Sequence, residues 1–384
     1  MVAKSIHGNS ITSIKTSLEK LRADGFLPTL AITFQSIKQD REALRNLFTA
    51  ENIDLIGATS SGEFIDGHQS EGEIAILLLD LSRDLYSIVF EQIKGSTIME
   101  AADKISKAAL QKFANPSLIV CSTGTDANGE FLDAETLVRA IETGIGAHRY
   151  FYGGMAGDDM TFTGSYVFTN ERQTDCGILA LVLDADKIQT TGQAITGWQK
   201  MGLSRKVTKS SGNLIYEIDG LNAVEMYLKY LGKSASVGDR EFKVFEELGF
   251  TYPFIVERDS NETLLKTPLE IDHVENALRM DVEMAEGDRF WFTMPPDFEI
   301  VEEIIHEASQ LKKDQGDADA LIVFSCAGRP PVLGPLVTSE NDGLAEVWNS
   351  PMAGFFTYGE YGRAKNGKQH FHSGACCWVA LTEK

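Results

Sequence analysis

Nowhere does the sequence approach the ~18 consecutive apolar residues that span a bilayer. Its best candidate, Ile74 to Leu79, has the length of a buried strand. The opening "MVAKSIHGNS" lacks the apolar core of a signal peptide. Cysteine is scarce: there are five, an odd number, with no Cys-x-x-Cys pair. That argues against a disulfide framework and for reduced thiols in a cytoplasmic compartment. Basic clusters are also missing. The largest cationic groupings are pairs such as Arg205-Lys206 and Lys312-Lys313, against a formal net charge of -21. This excludes nucleic acid and anionic membrane as partners, since both need basic patches. Several catalytic and phosphate-binding signatures are absent too. There is no Gly-x-Ser-x-Gly elbow, no Gly-x4-Gly-Lys-Ser/Thr loop and no His-Glu-x-x-His. "GIGAHR" (Gly144 to Arg149) lacks the third glycine of a dinucleotide fingerprint, and "TDANGEFLD" (Thr125 to Asp133) lacks calcium-loop spacing. No cofactor is called for.

What is present is an ordinary globular mix, 43% hydrophobic and 24% charged over 384 residues, long enough for two domains. "LPTLAITFQS" reads as a strand and "KQDREALRNLFTAEN" as an amphipathic helix. "GEIAILLLDLSRDLYSIVFEQI" reads as a hairpin turning at Ser82-Arg83-Asp84. "TIMEAADKISKAALQKF" has helical apolar spacing, and Asp133 caps a further helix to Ile145. "GLNAVEMYLKYLG" marks a change of unit, and the boundary is placed near residue 215. The expected fold is α+β in two domains, 1–215 and 216–384. Each would be a mixed, largely antiparallel sheet covered by helices, with a sandwich of sheets left open.

Two stretches nearly three hundred positions apart read alike: "GATSSGEF" (Gly57 to Phe64) and "GFFTYGEY" (Gly354 to Tyr361). With "FYGGMAGDDM" (Phe151 to Met160) they make three glycine-rich strand ends, where the backbone can turn sharply or be approached closely. Their polar and aromatic neighbours, with Gly153 and Gly154, are the candidate ligand contacts: Thr59, Ser60, Ser61, Glu63, Phe151, Asp158, Asp159, Phe355, Tyr358 and Glu360. In "FSCAGRPPVLG", Arg329 follows a buried strand and precedes two prolines. A guanidinium held there can grip a carboxylate with two parallel hydrogen bonds, or pair with an acid of its own chain. Cys326 is either a small apolar strand residue or an activated thiol, which His372 would serve as base in an enzyme reading. His370 and His372 share a strand face, but no second pair accompanies them, and no metal site is assigned.

Taken together, "GATSSGEF", "FYGGMAGDD", "FSCAGR", "MAGFFTYGEYG" and "FHSGACCWVAL" resemble, in that order, the motifs of the FIST family (F-box and intracellular signal transduction proteins). "GLNAVEMYLKYLG" resembles the opening helix of that family's C-terminal domain. The resemblance runs from about Leu27 to Glu383. It implies a paired FIST N and FIST C module that senses a small ligand, an amino acid or related carboxylate, in a cleft between the two domains. Arg329 would hold the ligand carboxylate and Glu63, Asp158 or Glu360 its ammonium, with a separate signalling protein as downstream partner. The extent of the match suggests a stand-alone module without an F-box or output domain. Ser373 and Ala375 stand where the family often carries Asn or Thr.

Overall fold

The computed structural model describes residues 1–258, 262–365 and 367–384. The chain divides into two compact units: Met1–Ile195 with Val301–Ala327 and Pro335–Lys384, and Thr196–Ile300 with Gly328–Gly334.

Unit one follows one path three times. The first pass runs through β1 (Val2–Gly8), α1 (Ile11–Ala23), β2 (Leu30–Ser36), α2 (Arg41–Ala50) and β3 (Asp54–Ser60). It then makes a short hairpin, β4 (Glu63–Ile65) and β5 (His68–Ser70), and returns on β6 (Ile74–Asp80). The second pass repeats this as β7 (Tyr86–Gln92), α3 (Ile98–Lys112), β8 (Pro116–Ser122), α4 (Ala134–Ile145) and β9 (Phe151–Met155). Its hairpin is β10 (Val167–Thr169) with β11 (Gln173–Thr174), and its return strand is β12 (Gly177–Asp184). The third pass opens on β13 (Ile188–Ile195) and is then interrupted by unit two.

Unit two is an antiparallel sheet of β14 (Gln199–Ser211), β15 (Leu214–Ile218) and β16 (Leu221–Asn222), then, after α5 (Ala223–Tyr230), β17 (Phe254–Arg258), β18 (Glu262–Lys266), β19 (Pro268–Asp272), β20 (Ala277–Met280) and β21 (Arg289–Met294). α5 is capped by Asn222, whose side chain accepts from the Glu225 amide. The helix lays Val224, Tyr227 and Leu228 on a core of Phe254, Phe290 and Phe292.

The third pass resumes with α6 (Glu299–Gln315) and β22 (Ala320–Cys326). The short α7 (Arg329–Leu333) belongs to unit two, and α8 (Leu336–Trp348), β23 (Met352–Thr357), the hairpin β24 (Glu360–Arg363) with β25 (Gln369–His372), and β26 (Cys376–Glu383) complete unit one.

Each pass contributes one parallel pair, β2 with β3, β8 with β9 and β22 with β23, inside an otherwise antiparallel six-stranded sheet. The hairpin that follows each parallel pair does not stay in its own sheet. β4 pairs with β23, β24 pairs with β9, and β10 pairs with β3. Every sheet therefore lends its hairpin to another and borrows one in return, and the exchange closes on itself after three steps.

The inner faces of the three sheets meet in one core, with residues two apart such as Leu30, Ile32 and Phe34 or Leu179, Leu181 and Leu183 pointing inward. Within it Phe34 stacks on Phe355 at 4.4 Å, and Phe324 meets both rings edge-on at 6.1 and 5.9 Å. The intervening residues of the first sheet, such as Ala31, Leu55 and Leu78, pack outward against Ile14, Leu18, Leu44 and Phe48 of α1 and α2. These strands carry apolar side chains on both faces because each face has a partner layer. The helix starts are those the caps specify: Asp40 accepts from Ala43, Thr97 and Glu100 form a reciprocal capping box, and Asp133 accepts from Thr136.

The fold class is α+β with mixed sheets and helices, as the sequence implies. The hairpin expected at Ser82-Arg83-Asp84 is not formed. β6 lies between β1 and β2 and has no free edge, so a helical turn at Arg83–Leu85 carries the chain to β7, which pairs with β12 in another sheet.

The echo between "GATSSGEF" and "GFFTYGEY" has its physical cause in the exchanged hairpins, and both stretches belong to unit one. The first glycine of each seats an aromatic ring from another pass. Gly354 faces Phe64, Gly153 faces Tyr361 and Gly57 faces Phe168 across the strand pairs. A Cβ on Gly57 would stand 2.3 Å from the Phe168 ring, and one on Gly354 2.3 Å from Phe64. Gly57→Ala should therefore cost about 1–3 kcal/mol by overpacking, measured by urea unfolding. A variant as stable as wild type would mean the ring has room to move aside.

Candidate functional site

Where the three parallel pairs end, the main chains interlock. The Ser61 amide donates to the Phe356 carbonyl at 3.0 Å, Tyr358 to Met155 at 3.1 Å, and Gly157 to Thr59 at 2.8 Å. The three bonds form a closed ring that fixes all three glycine-rich ends relative to one another. "GATSSGEF", "FYGGMAGDDM" and "GFFTYGEY" are thus brought together.

Within the ring most candidate residues serve the frame. Glu63 is fully buried; its Oε1 takes a short bond from the Ser60 hydroxyl and its Oε2 the Glu73 amide at 3.0 Å. Glu360 repeats the pattern, accepting from the Thr357 hydroxyl at 2.5 Å and the Ala375 amide at 3.0 Å. Burial pushes the Glu63 carboxyl up to about 8, with the Ser60 and Glu73 hydrogen bonds opposing and the charges of Asp159 and Glu73 adding to the rise. The Thr59 hydroxyl donates to the Gly157 carbonyl at 2.6 Å and accepts from the Tyr166 amide at 2.8 Å. Gly154 lies close against Thr357, where a Cβ would meet its methyl at 2.8 Å.

Asp158 is the hub of the loop that follows β9. Its buried carboxylate accepts from the amides of Phe162, Thr163 and Gly164 at 3.1, 2.6 and 3.1 Å, from the Thr161 hydroxyl at 3.0 Å, and in a short bond from the Tyr358 hydroxyl. Burial and the Asp158 charge raise the Tyr358 phenol above its ordinary value. Asp159 differs from these acids. Its side chain keeps 11% exposure, accepts from the Ser36 hydroxyl at 2.7 Å and pairs with Lys38 at 3.1 Å.

Aligned on their first glycines, the three ends place Ser61, Gly157 and Tyr358 at one equivalent position, and these are the ring donors. Ser61 and Tyr358 are half-buried. A Cβ on Gly157 would lie 2.4 Å from the Ser61 hydroxyl, so the missing side chain is what lets the two ends close. Tyr358 stacks on Phe162 at 5.1 Å and tilts toward Phe131 at 6.0 Å. Phe131 and Phe162 escaped the sequence reading because both sit in polar loops without periodicity. Asp126, in the first of these loops, turns back on its own chain to accept from the Asn128 and Glu130 amides.

Phe355, Phe151 and Arg329 take no part in the ring. Phe355 is in the aromatic stack of the core, and Phe151 is buried at the opposite end of β9 from the ring. Arg329 belongs to unit two, fully buried, with Nη1 2.9 Å from the Thr196 carbonyl and its guanidinium 5.9 Å from the Trp198 ring. Cys326 ends β22 opposite Thr357, one residue from the ring donor Tyr358, its amide donating to the Ala375 carbonyl at 2.9 Å; His372 lies on β25 opposite Glu360, with Nε2 3.3 Å from the Gly362 carbonyl. None of the five cysteines forms a disulfide. Burial pushes Cys121 up to about 12 and raises Cys377 well above the usual range.

One cluster joins residues of strands far apart in the chain's first hundred positions. His7 is the next-to-last residue of β1, His68 opens β5 and Glu73 precedes β6. Glu73 Oε2 lies 3.2 Å from His7 Nδ1 and 2.9 Å from His68 Nε2, and the imidazole rings stack at 3.7 Å. No helix among the described residues is long and apolar enough to cross a membrane.

Comparison with known families gives a match to the FIST N domain over residues 29–221 and to the FIST C domain over residues 223–363. No curated protein matches the chain.

Proposed function

The chain belongs to the FIST family, whose domains are sensory domains of signal transduction, and we propose that it senses a small carboxylate, an amino acid among them, at the interlocked strand ends of unit one. FIST domains are typically sensory rather than catalytic. The ring of three main-chain bonds carries the proposal. It builds a rigid platform from three distant segments and sets Ser61 and Tyr358 at equivalent donor positions on it. Glu63, Glu360 and Asp158 are spent on internal donors. The Asp159–Lys38 pair is not, and Lys38 is 72% exposed. A zwitterionic ligand would replace both partners of that pair, its ammonium on Asp159 and its carboxylate on Lys38 and the Ser61 hydroxyl. The Tyr358 and Phe162 rings would flank its side chain. Occupancy would be reported to a separate protein.

The test is a thermal-shift screen of the intact protein against the twenty amino acids and common carboxylate metabolites, with Asp159→Asn and Ser61→Ala in parallel. A ligand at ~100-fold its dissociation constant should add about 2.7 kcal/mol to the wild type, and the shift should be lost in Asp159→Asn. A panel without any shift defeats the proposal, as does a shift that both variants retain.

A further inference from the structure

We propose that His7, His68 and Glu73 form a binding site for a divalent transition cation of the zinc class. Two imidazole nitrogens and one carboxylate oxygen are the donor set such a cation prefers, with a fourth position left for water. The donor atoms all lie within 4.8 Å of one another. Two edges of that triangle, 2.9 and 3.2 Å, are close to the ~3.3 Å edge of a tetrahedron built on bonds of about 2.0–2.1 Å. The remaining edge joins two imidazoles whose side chains are 41% and 36% exposed, so modest ring rotation can bring both lone pairs onto one ion.

The main chain around the cluster is already fixed, so an ion would find its ligands largely pre-arranged. β1 and β6 pair in register from Val2 to Gly8, which sets His7 beside the entry to β6. The β4–β5 hairpin is anchored on β23, which sets His68. Glu73 is held on both sides, its amide on Glu63 and its carbonyl receiving the Ser36 amide at 3.0 Å. Through those two bonds the ion would sit one residue from groups of the strand-end ring, since the Ser36 hydroxyl also donates to Asp159. The site does not depend on the proposed carboxylate ligand.

The intact protein, stripped with chelator, is titrated with Zn2+ against a chromophoric competitor and with Co2+ followed by visible absorption. About one equivalent should bind, with the intense bands of four-coordinate cobalt. His68→Ala, His7→Ala and Glu73→Gln should each weaken binding by more than the roughly 10–100-fold that a mere supporting contact costs. His306→Ala, an exposed histidine on α6, should bind as wild type. Because the ligands are partly exposed, the variants should melt with wild type in chelator, which separates lost binding from lost fold. Absence of uptake overturns the site and leaves a histidine–carboxylate hydrogen-bond network. Uptake unchanged in His68→Ala and Glu73→Gln also overturns it.

Discussion

Asp158→Ala should lower the stability of the protein by about 3–5 kcal/mol, read from the urea midpoint. The carboxylate is fully buried and receives three amides and two hydroxyls. Deleting it strands those donors away from water, and each orphan costs about 1–3 kcal/mol. Water entering the space left behind recovers part of that. The loop has a second debt to Asp158. Asp159, Met160 and Phe162 are held at φ of 56°, 62° and 52°, a left-handed region that non-glycine residues leave when nothing restrains them. Proteolysis should therefore open between Met160 and Thr163 in the variant and not in wild type. Tyr358→Phe removes one donor and keeps the carboxylate, so its loss should be nearer 1 kcal/mol. An Asp158→Ala variant within about 1 kcal/mol of wild type would show that the loop is held by its aromatic contacts instead.

Glu63→Gln should remove a fall in stability between about pH 4.5 and pH 8. The carboxyl titrates at about 8 in the folded protein against 4.5 as its ordinary value. Between those values the unfolded chain has released the proton and the folded chain still holds it. The folded state binds more protons, so stability falls as pH rises across that window and levels off above about 8. The whole fall is at most about 5 kcal/mol, from ~1.4 kcal/mol per pH unit. Glutamine keeps the shape and stays neutral: its carbonyl can accept from the Glu73 amide and its amide can donate to Ser60. The variant should match wild type near pH 5 and exceed it by several kcal/mol at pH 9. Chelator in the buffer keeps Glu73 free of metal. Parallel profiles for the two proteins would mean that Glu63 is ionised in the fold and that its buried charge is tolerated.

The local parts of the fold were legible in the sequence. Asp133 was read as a cap because that signal acts within four residues, and the structure adds caps of the same kind at Asp40 and Thr97 with Glu100. The strand pairing was not legible. Glu63 finds Phe355 across almost the whole chain, through a three-residue strand with no alternation to reveal its face. The threefold repeat was hidden because unit two is inserted between β13 and α6, which breaks the third pass. The glycine-rich stretches were found, but a carboxylate beside glycine reads equally as a ligand contact or as a brace. Burial decides between them, and burial depends on the partner strand. Ser61, Tyr358 and Asp159 remain at the proposed site; Glu63, Glu360 and Asp158 brace it.

The exchanged hairpins make unit one the covalent equivalent of a swapped homotrimer. No single pass can close its own sheet, since the strand that completes the edge of β3, β9 or β23 is supplied by another pass. A partial chain with two passes would expose one borrowed edge and one unplaced hairpin, both prone to pairing with other molecules. Unit one should therefore fold as one cooperative unit, and the long sequence separation of its exchanged pairs should make that folding slow.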